Sequence, residues 1–87
     1  MDNEKTRVAL ISIIVDRGAS VDELNGLLHK YAGNVIGRMG IPYEKKGVNI
    51  ICVALDAPQD VINSLAGALG RLEGVTAKAT YAKPSGV

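Results

Sequence analysis

The sequence has few aromatic residues, a single cysteine and no large excess of charge of either sign. It contains no Trp or Phe, and its three Tyr residues supply all the aromatic surface. The core must therefore be aliphatic, and the aromatic platforms on which RNA-binding sheets stack bases are missing. Ten basic residues against nine acidic ones leave a formal net charge of +1, too little to hold a phosphate backbone unaided. We therefore expect no direct binding of nucleic acid.

The single cysteine, Cys52, excludes an internal disulfide. It lies within an apolar run, which is typical of a small buried hydrophobe in a reducing compartment. The first apolar run, residues 8–15, has only about half the length that a membrane-spanning helix needs. Acidic residues precede it, unlike in a signal peptide. We therefore expect a cytoplasmic protein without a membrane anchor.

The length of 87 residues fits one domain. We expect a single domain over residues 1–83 and a flexible tail at residues 84–87. A domain of this size buries only about 60 to 65% of the surface that its unfolded chain exposes. Its stability should be modest, and association with another chain would increase it.

Runs rich in β-branched residues alternate with segments of helical periodicity. The runs predict four strands at residues 8–15, 35–43, 48–55 and 75–82, and the apolar spacing between them predicts two helices. A polar turn at residues 44–47 joins the second strand to the third as a hairpin. This order predicts an α+β fold, the ferredoxin-like βαββαβ sandwich, with two helices on one face of a four-stranded antiparallel sheet.

Capping signals predict where the first helix begins and ends. Ser20 and Glu23 have the spacing of a capping box, and Gly33 with Asn34 is expected to end the helix. Its predicted apolar stripe consists of Val21, Leu24, Leu27, Leu28, Tyr31 and Ala32.

The second helix has comparable signals. Asp56 is expected to cap it, with Pro58 in the first turn and Gln59 placed for a capping box. Gly74 is expected to end it, because glycine readily takes a left-handed conformation. Its predicted buried stripe consists of Val61, Ile62, Leu65, Ala66, Leu69 and Leu72.

Pro42 predicts that the second strand lies at an edge of the sheet, since proline cannot donate to a central ladder. The two middle strands are apolar at both parities, so their second face would be bare in a monomer. Either Ile11, Ile13, Ile51 and Val53 or their opposite-parity neighbours would line it. An exposed apolar patch of this kind usually marks an interface. We therefore expect a homo-oligomer in which that face or an adjoining sheet edge is covered.

Arg38 is the only charge in the second strand, and it lies between Gly37 and Gly40. A bare backbone at these glycines would let a small anion approach the guanidinium closely. The more common alternative is an exposed strand position that pairs with an acidic residue such as Glu44 and discourages aggregation.

A second candidate site for an anion is Asp16, Arg17 and Gly18, which join the first strand to the amino-terminal end of a helix. A plain turn is the favoured interpretation of this segment. It lacks the glycines of a P-loop or of a dinucleotide-binding fingerprint.

His29 is a weak candidate for a metal ligand, because the sequence offers it no second His or Cys-x-x-Cys pair. No nucleophile or acid–base pair with suitable surroundings can be assembled from the sequence. We therefore expect neither an enzyme nor a cofactor.

Two segments carry a resemblance to a known family: GRMGIPY at residues 37–43 and LDAPQDVI at residues 55–62. They resemble the small regulators of the iron-only hydrogenase system, which occur beside hydrogenase maturation functions in anaerobic bacteria. The resemblance extends roughly over residues 7–83. It implies a regulatory or effector-binding role, with transcription reached only through a protein partner. The alternative is an assembly or scaffold protein for hydrogenase maturation that binds no small ligand.

More distantly, the chain resembles the regulatory domain of the nickel-responsive repressor and the ACT domains, which bind small effectors at subunit interfaces. His29 matches a metal-binding His of the nickel family. Gly40, Pro42 and Val48 stand where that family has its other ligands, and their side chains cannot coordinate nickel. The ACT resemblance directs attention to the loop at residues 16–18 as an effector site.

Overall fold

The computed structural model describes residues 5–19 and 21–83. They form the strands and helices β1 (Arg7–Asp16), α1 (Val21–Lys30), β2 (Val35–Tyr43), β3 (Val48–Ala57), α2 (Gln59–Gly70) and β4 (Val75–Tyr81), with a short 3-10 turn (Ala32–Asn34) before β2. The sheet is antiparallel with the order β2-β3-β1-β4. The predicted α+β ferredoxin-like fold is confirmed, and β2 is an edge strand as Pro42 indicated.

The core lies between the two helices and one face of the sheet. Alternate residues of β1 are buried, because successive side chains of a strand point to opposite faces. The core is entirely aliphatic among the described residues, with no buried polar or charged residue. It consists of Ala9, Ile11, Ile13 and Val15 of β1, Leu24 and Leu28 of α1, Ile51, Val53, Leu55 and Ala57 of β3, Ile62, Leu65 and Leu69 of α2, and Val75 of β4.

Neither of the two described helices covers the opposite face of the sheet, here called the open face. Its apolar residues are Val8, Leu10 and Ile14 of β1, Met39, Ile41 and Tyr43 of β2, and Val48, Ile50, Cys52 and Ala54 of β3. Leu10 and Ile14 are each 45% exposed, whereas Ile11 and Ile13 are fully buried. The structure thus decides between the two sets of residues left open by the sequence. The open face carries the opposite-parity neighbours.

The first helix is shorter than predicted. It ends at Lys30, while Gly33 and Asn34 belong to the 3-10 turn that follows. Leu24 and Leu28 are its buried residues, but Val21, at the first position of the helix, is 46% exposed. The capping box that begins at Ser20 falls outside the described residues.

The predicted start of the second helix was wrong. Asp56 lies in β3, where it pairs with Val8, because the β1–β3 ladder continues past the local capping signal. Pro58 occupies the N-cap position, and its carbonyl accepts hydrogen bonds from the amides of Val61 at 3.0 Å and Ile62 at 3.1 Å. The side chain of Gln59 bonds to Arg7 in place of a capping box.

The second helix ends at Gly70, before the predicted Gly74. Gly74 has a positive φ of 78°, in the loop before β4. Its carbonyl accepts a hydrogen bond from the amide of Asp16 at 2.8 Å. The expected tail at residues 84–87 lies outside the described part of the chain.

Arg7 ties the start of β1 to the end of β4. Its Nη1 donates to Oε1 of Gln59 at 2.7 Å, and its Nη2 donates to the carbonyl of Ala82 at 2.5 Å. The guanidinium carbon lies 4.9 Å from the ring centroid of Tyr81. The amide of Ala82 also donates to the carbonyl of Val8 at 2.9 Å.

Neither helix in the described residues has the length and apolar character needed to cross a bilayer.

Candidate functional site

A β-bulge near the start of β2 determines which way Arg38 faces. Val35 pairs with Leu55 and Arg38 pairs with Val53, with a register shift between Val35 and Gly37. Leu55 and Val53 both belong to the buried face of β3. In a regular strand, two residues three positions apart point to opposite faces. The extra residue of the bulge therefore brings Val35 and Arg38 to the same, helix-covered side of the sheet.

On that side, Arg38 lines a cleft of about 440 Å³ between β2 and α1. The helix contributes Asn25, Leu28 and His29 to the lining. Asn25 and His29 are four residues apart and so lie above one another on the same side of the helix. The remaining lining residues are Ala32, Val35 and Val53. The cleft thus has an apolar base and a polar rim, an arrangement common in small-molecule sites.

The cleft exists because the helices leave β2 largely uncovered. All residues of β2 except Val35 are exposed. On the helix side, Arg38 is followed by Gly40, which adds no side chain. A Cβ at Gly40 would have its nearest neighbour, Cγ1 of Ile51, at 4.0 Å. Gly40 is thus not required by close packing, and its effect is to leave the strand bare beside Arg38.

Arg38 is the only Lys, Arg, Asp or Glu among the described residues that line the cleft. The structure forms no ion pair between Arg38 and Glu44, the partner considered for it from the sequence. Glu44 instead lines a different pocket, of about 490 Å³, which also contains Arg17. Arg38 is therefore exposed, as expected for an edge strand, but its guanidinium is available to a ligand in the cleft.

Asp16, Arg17 and Gly18 form a compact turn. The amide of Ala19 donates to the carbonyl of Asp16 at 3.1 Å, and Gly18 takes a positive φ of 91°. The guanidinium of Arg17 lies against the β2–β3 turn, where a Cβ at Gly47 would come within 2.5 Å of Nη2. The turn is thus held by its own backbone and by its neighbours.

The six candidate residues named from the sequence do not form one site. Asp16 is opposite Val48, five positions along β3 from the partner of Arg38, a separation of about 17 Å at about 3.3 Å per residue. Gly37 directly precedes Arg38, but it pairs with Ala54 and so occupies an open-face position of the strand. Of the six, only Gly40 shares a face with Arg38.

The structure brings Arg38 together with His29 and Asn25. The sequence marks His29 only as a weak candidate for a metal ligand, and it gives no sign of a role for Asn25. The described residues contain no group of three or more His, Cys, Asp and Glu side chains that could hold a metal ion. The four-residue spacing of Asn25 and His29 was visible in the sequence, but nothing there indicated that β2 would lie beside it.

The fold and the cleft define a small ferredoxin-like α+β domain with a cationic cleft beside its edge strand. Residues 7–79 match the model of the TM1266-like family, whose description is "Iron-only hydrogenase system regulator, putative". The chain therefore belongs to the TM1266-like family.

The solved structure of the uncharacterized protein TM1266 from Thermotoga maritima is similar to this chain, with a TM-score of 0.87 and 30% sequence identity. The match covers 91% of this chain and 100% of that one. No curated protein matches the chain. The wider resemblance to the nickel-responsive regulators and the ACT domains stays a prediction.

Proposed function

We propose that this protein is a non-enzymatic regulatory module of the iron-only hydrogenase system that acts as a homo-oligomer and reaches transcription only through a protein partner. Family membership supports the link to the hydrogenase system. Among the described residues that line the cleft, none carries a carboxylate, hydroxyl or thiol that could act with His29, and the proposal therefore includes no catalytic step. The observation that carries the oligomer is the open face.

The open face is large enough for a stable interface. Four strands of seven to ten residues, spaced about 4.8 Å apart with about 3.3 Å per residue, span a projected area of roughly 600 Å². Side chains that stand out from the sheet increase the accessible area. The result is close to the roughly 800 Å² per partner of a typical stable complex. The apolar residues lie on the three strands β1, β2 and β3, so the apolar part is about three quarters of this area, at the upper end of what a monomer exposes and often a functional surface.

The pattern of charge on the open face favours a second copy of this chain as the occupant. The apolar residues lie in the centre, while Asp16, Asp56 and Lys78 lie around them at the ends and at the β4 edge. An interface with a two-fold axis is self-complementary, so Lys78 of one copy can face an aspartate of the other. An apolar centre with a charged rim is the usual anatomy of a protein interface.

The oligomer is tested by sedimentation velocity at micromolar concentration, with two variants at positions of matched exposure. Ile14 on the open face is 45% exposed, and Val21 on α1 is 46% exposed. We expect the unsubstituted protein and Val21→Glu to sediment as oligomers. Ile14→Glu should sediment as a monomer, because burying an unpaired carboxylate in an apolar interface is costly.

Two results would contradict the proposal. A monomeric unsubstituted protein would remove self-association altogether. An Ile14→Glu variant that still associates would move the interface away from the open face, to a sheet edge or to the helices. Circular dichroism of each variant checks that the fold is retained.

A further inference from the structure

We propose that the cleft between β2 and α1 binds a small monocarboxylate with an apolar body, with Arg38 pairing with the carboxylate. This inference deepens the proposed regulatory function by assigning a chemical class of effector. It does not depend on the oligomer, because the cleft and the open face lie on opposite sides of the sheet.

The charge of the cleft distinguishes it from the other two pockets described. The pocket at the β2–β3 turn is lined by both Arg17 and Glu44. The pocket between the helices is lined by both Glu23 and Arg71. Among the residues that the structure describes, the cleft is lined by Arg38 and by no acidic residue. Of these three pockets, the cleft is therefore the one in which the described lining has a positive charge and no negative charge.

The guanidinium of Arg38 suits a carboxylate. Its planar, forked set of donors matches the two oxygens of a carboxylate and can form two parallel hydrogen bonds. The described part of the lining provides a single Arg and no Lys. A phosphate group would bring about two negative charges to that one cation. The chemistry of the cleft therefore favours a ligand with one negative charge.

The base of the cleft suits an apolar ligand body. Val53 is fully buried and Leu28 is 5% exposed, and both contribute to the lining together with Val35. The volume of about 440 Å³ lies in the lower part of the range for small-molecule sites. The site can therefore distinguish carboxylates by the length of their apolar body, because each methylene buried on this base should raise the affinity about fourfold.

Asn25 and His29 give the rim its remaining polar groups. An amide side chain offers two donors and an acceptor, and an imidazole offers at least one donor. They project from α1 towards the same cleft as Arg38 on β2. A hydroxyl or carbonyl on the body of the ligand would find partners there, which gives the site a means of selecting among carboxylates.

The proposal is tested by an NMR titration of the ¹⁵N-labelled protein with butanoate, hexanoate and octanoate, using hexanol as a neutral control of matched chain length. We expect saturable shifts at Asn25, His29 and Arg38, with an affinity that rises about fourfold per buried methylene. Hexanol should bind at least about tenfold more weakly than hexanoate, because it lacks the charge-assisted hydrogen bonds.

Variants test the role of Arg38 directly. Arg38→Gln should weaken hexanoate binding by about tenfold or more. The affinity of Arg38→Lys should lie between those of Arg38→Gln and the unsubstituted protein, because lysine keeps the charge but cannot form two parallel hydrogen bonds to a carboxylate. Arg71→Gln makes the same change of charge at the end of α2 and should leave the affinity unchanged. Arg38 is exposed, so these substitutions should not prevent folding.

Three results would overturn the proposal: no saturable binding, equal affinity in Arg38→Gln, or shifts confined to open-face residues such as Leu10, Ile14 and Ile50. Titration of the Ile14→Glu variant separates this proposal from the previous one. If that variant is monomeric and still binds hexanoate, the cleft functions without the oligomer. If the unsubstituted protein is oligomeric and binds no carboxylate in the cleft, self-association stands and the effector class is wrong.

Discussion

Replacing Gly74 by a residue with a side chain should destabilise the fold for two separate reasons. Its φ of 78° lies in the left-handed region, and a Cβ there would lie 3.0 Å from Cβ of Ala19 and 3.4 Å from its Cα. The first effect costs about 1–2 kcal/mol for a residue with a side chain, and the second adds about 1 kcal/mol of overpacking. We expect Gly74→Ala to lower the free energy of unfolding by about 2–3 kcal/mol, measured by urea denaturation.

Gly26 provides the opposite case within the same chain. It lies inside α1, and a Cβ there would meet nothing within 4 Å. Gly26→Ala should raise the free energy of unfolding by about 0.5–1 kcal/mol, because alanine is the better helix former. If Gly74→Ala did not lower the free energy of unfolding relative to Gly26→Ala, the loop before β4 would have to adapt to a side chain at position 74.

Single residues also show how far the sequence could predict the candidate site. Arg38 stood out as the only charge in an apolar segment, and its interest as an anion ligand follows from that alone. The site around it could not be predicted, because alternation of side chains along β2 gives no sign of the bulge after Val35. Arg17 stood out equally well, yet it packs on the β2–β3 turn.

At the level of elements, the two edge strands of the sheet differ in how they are supported. Strand β4 has Val75 in the core, and Ala77, Ala79 and Tyr81 pack against it. Strand β2 has only Val35 packed against the core. An edge strand held mainly by backbone hydrogen bonds to one neighbouring strand should unfold locally more easily than an edge strand that a helix also covers. The free energy of local opening should therefore be lower for β2 than for β4.

Native-state hydrogen exchange tests this difference. We expect the ladder amides of β2 to exchange faster than those of β4, and those of β1 to be protected most strongly. The Ile14→Glu variant should be measured alongside, since an oligomer that covers the open face would protect β2 as well. Equal protection of β2 and β4 in a monomeric variant would contradict the expectation.

Elements were also the level at which sequence patterns were most informative. The β-branched runs and apolar stripes predicted every strand and both helices in the right order, since burial on a layered fold imposes those periods. The start of α2 was missed because Asp56 and Pro58 resemble a cap, while pairing with β1 extends β3 through Ala57. A local signal could not reveal this long-range ladder.

For the whole molecule, self-association should make thermal stability depend on concentration. If only folded chains associate, self-association stabilises the folded state by mass action. For a chain of this size we expect the Tm to rise by about 3–5 °C for each tenfold increase in protein concentration. Differential scanning calorimetry over a dilution series measures this, and Ile14→Glu should show no such dependence. A constant Tm for the unsubstituted protein would count against the oligomer.

The hydrogen bonds that join the start of β1 to the end of β4 indicate that the fold should not depend on the present order of its strands along the chain. Since the amide of Ala82 bonds to the carbonyl of Val8, the outer ends of β1 and β4 are neighbours in space. A short linker between them and a new opening at the exposed turn of Lys45 and Lys46 would give a circular permutant with every strand pairing intact. In that permutant β3 would begin the chain and β2 would end it, so the edge strand that carries Arg38 would be free to be shortened from one end.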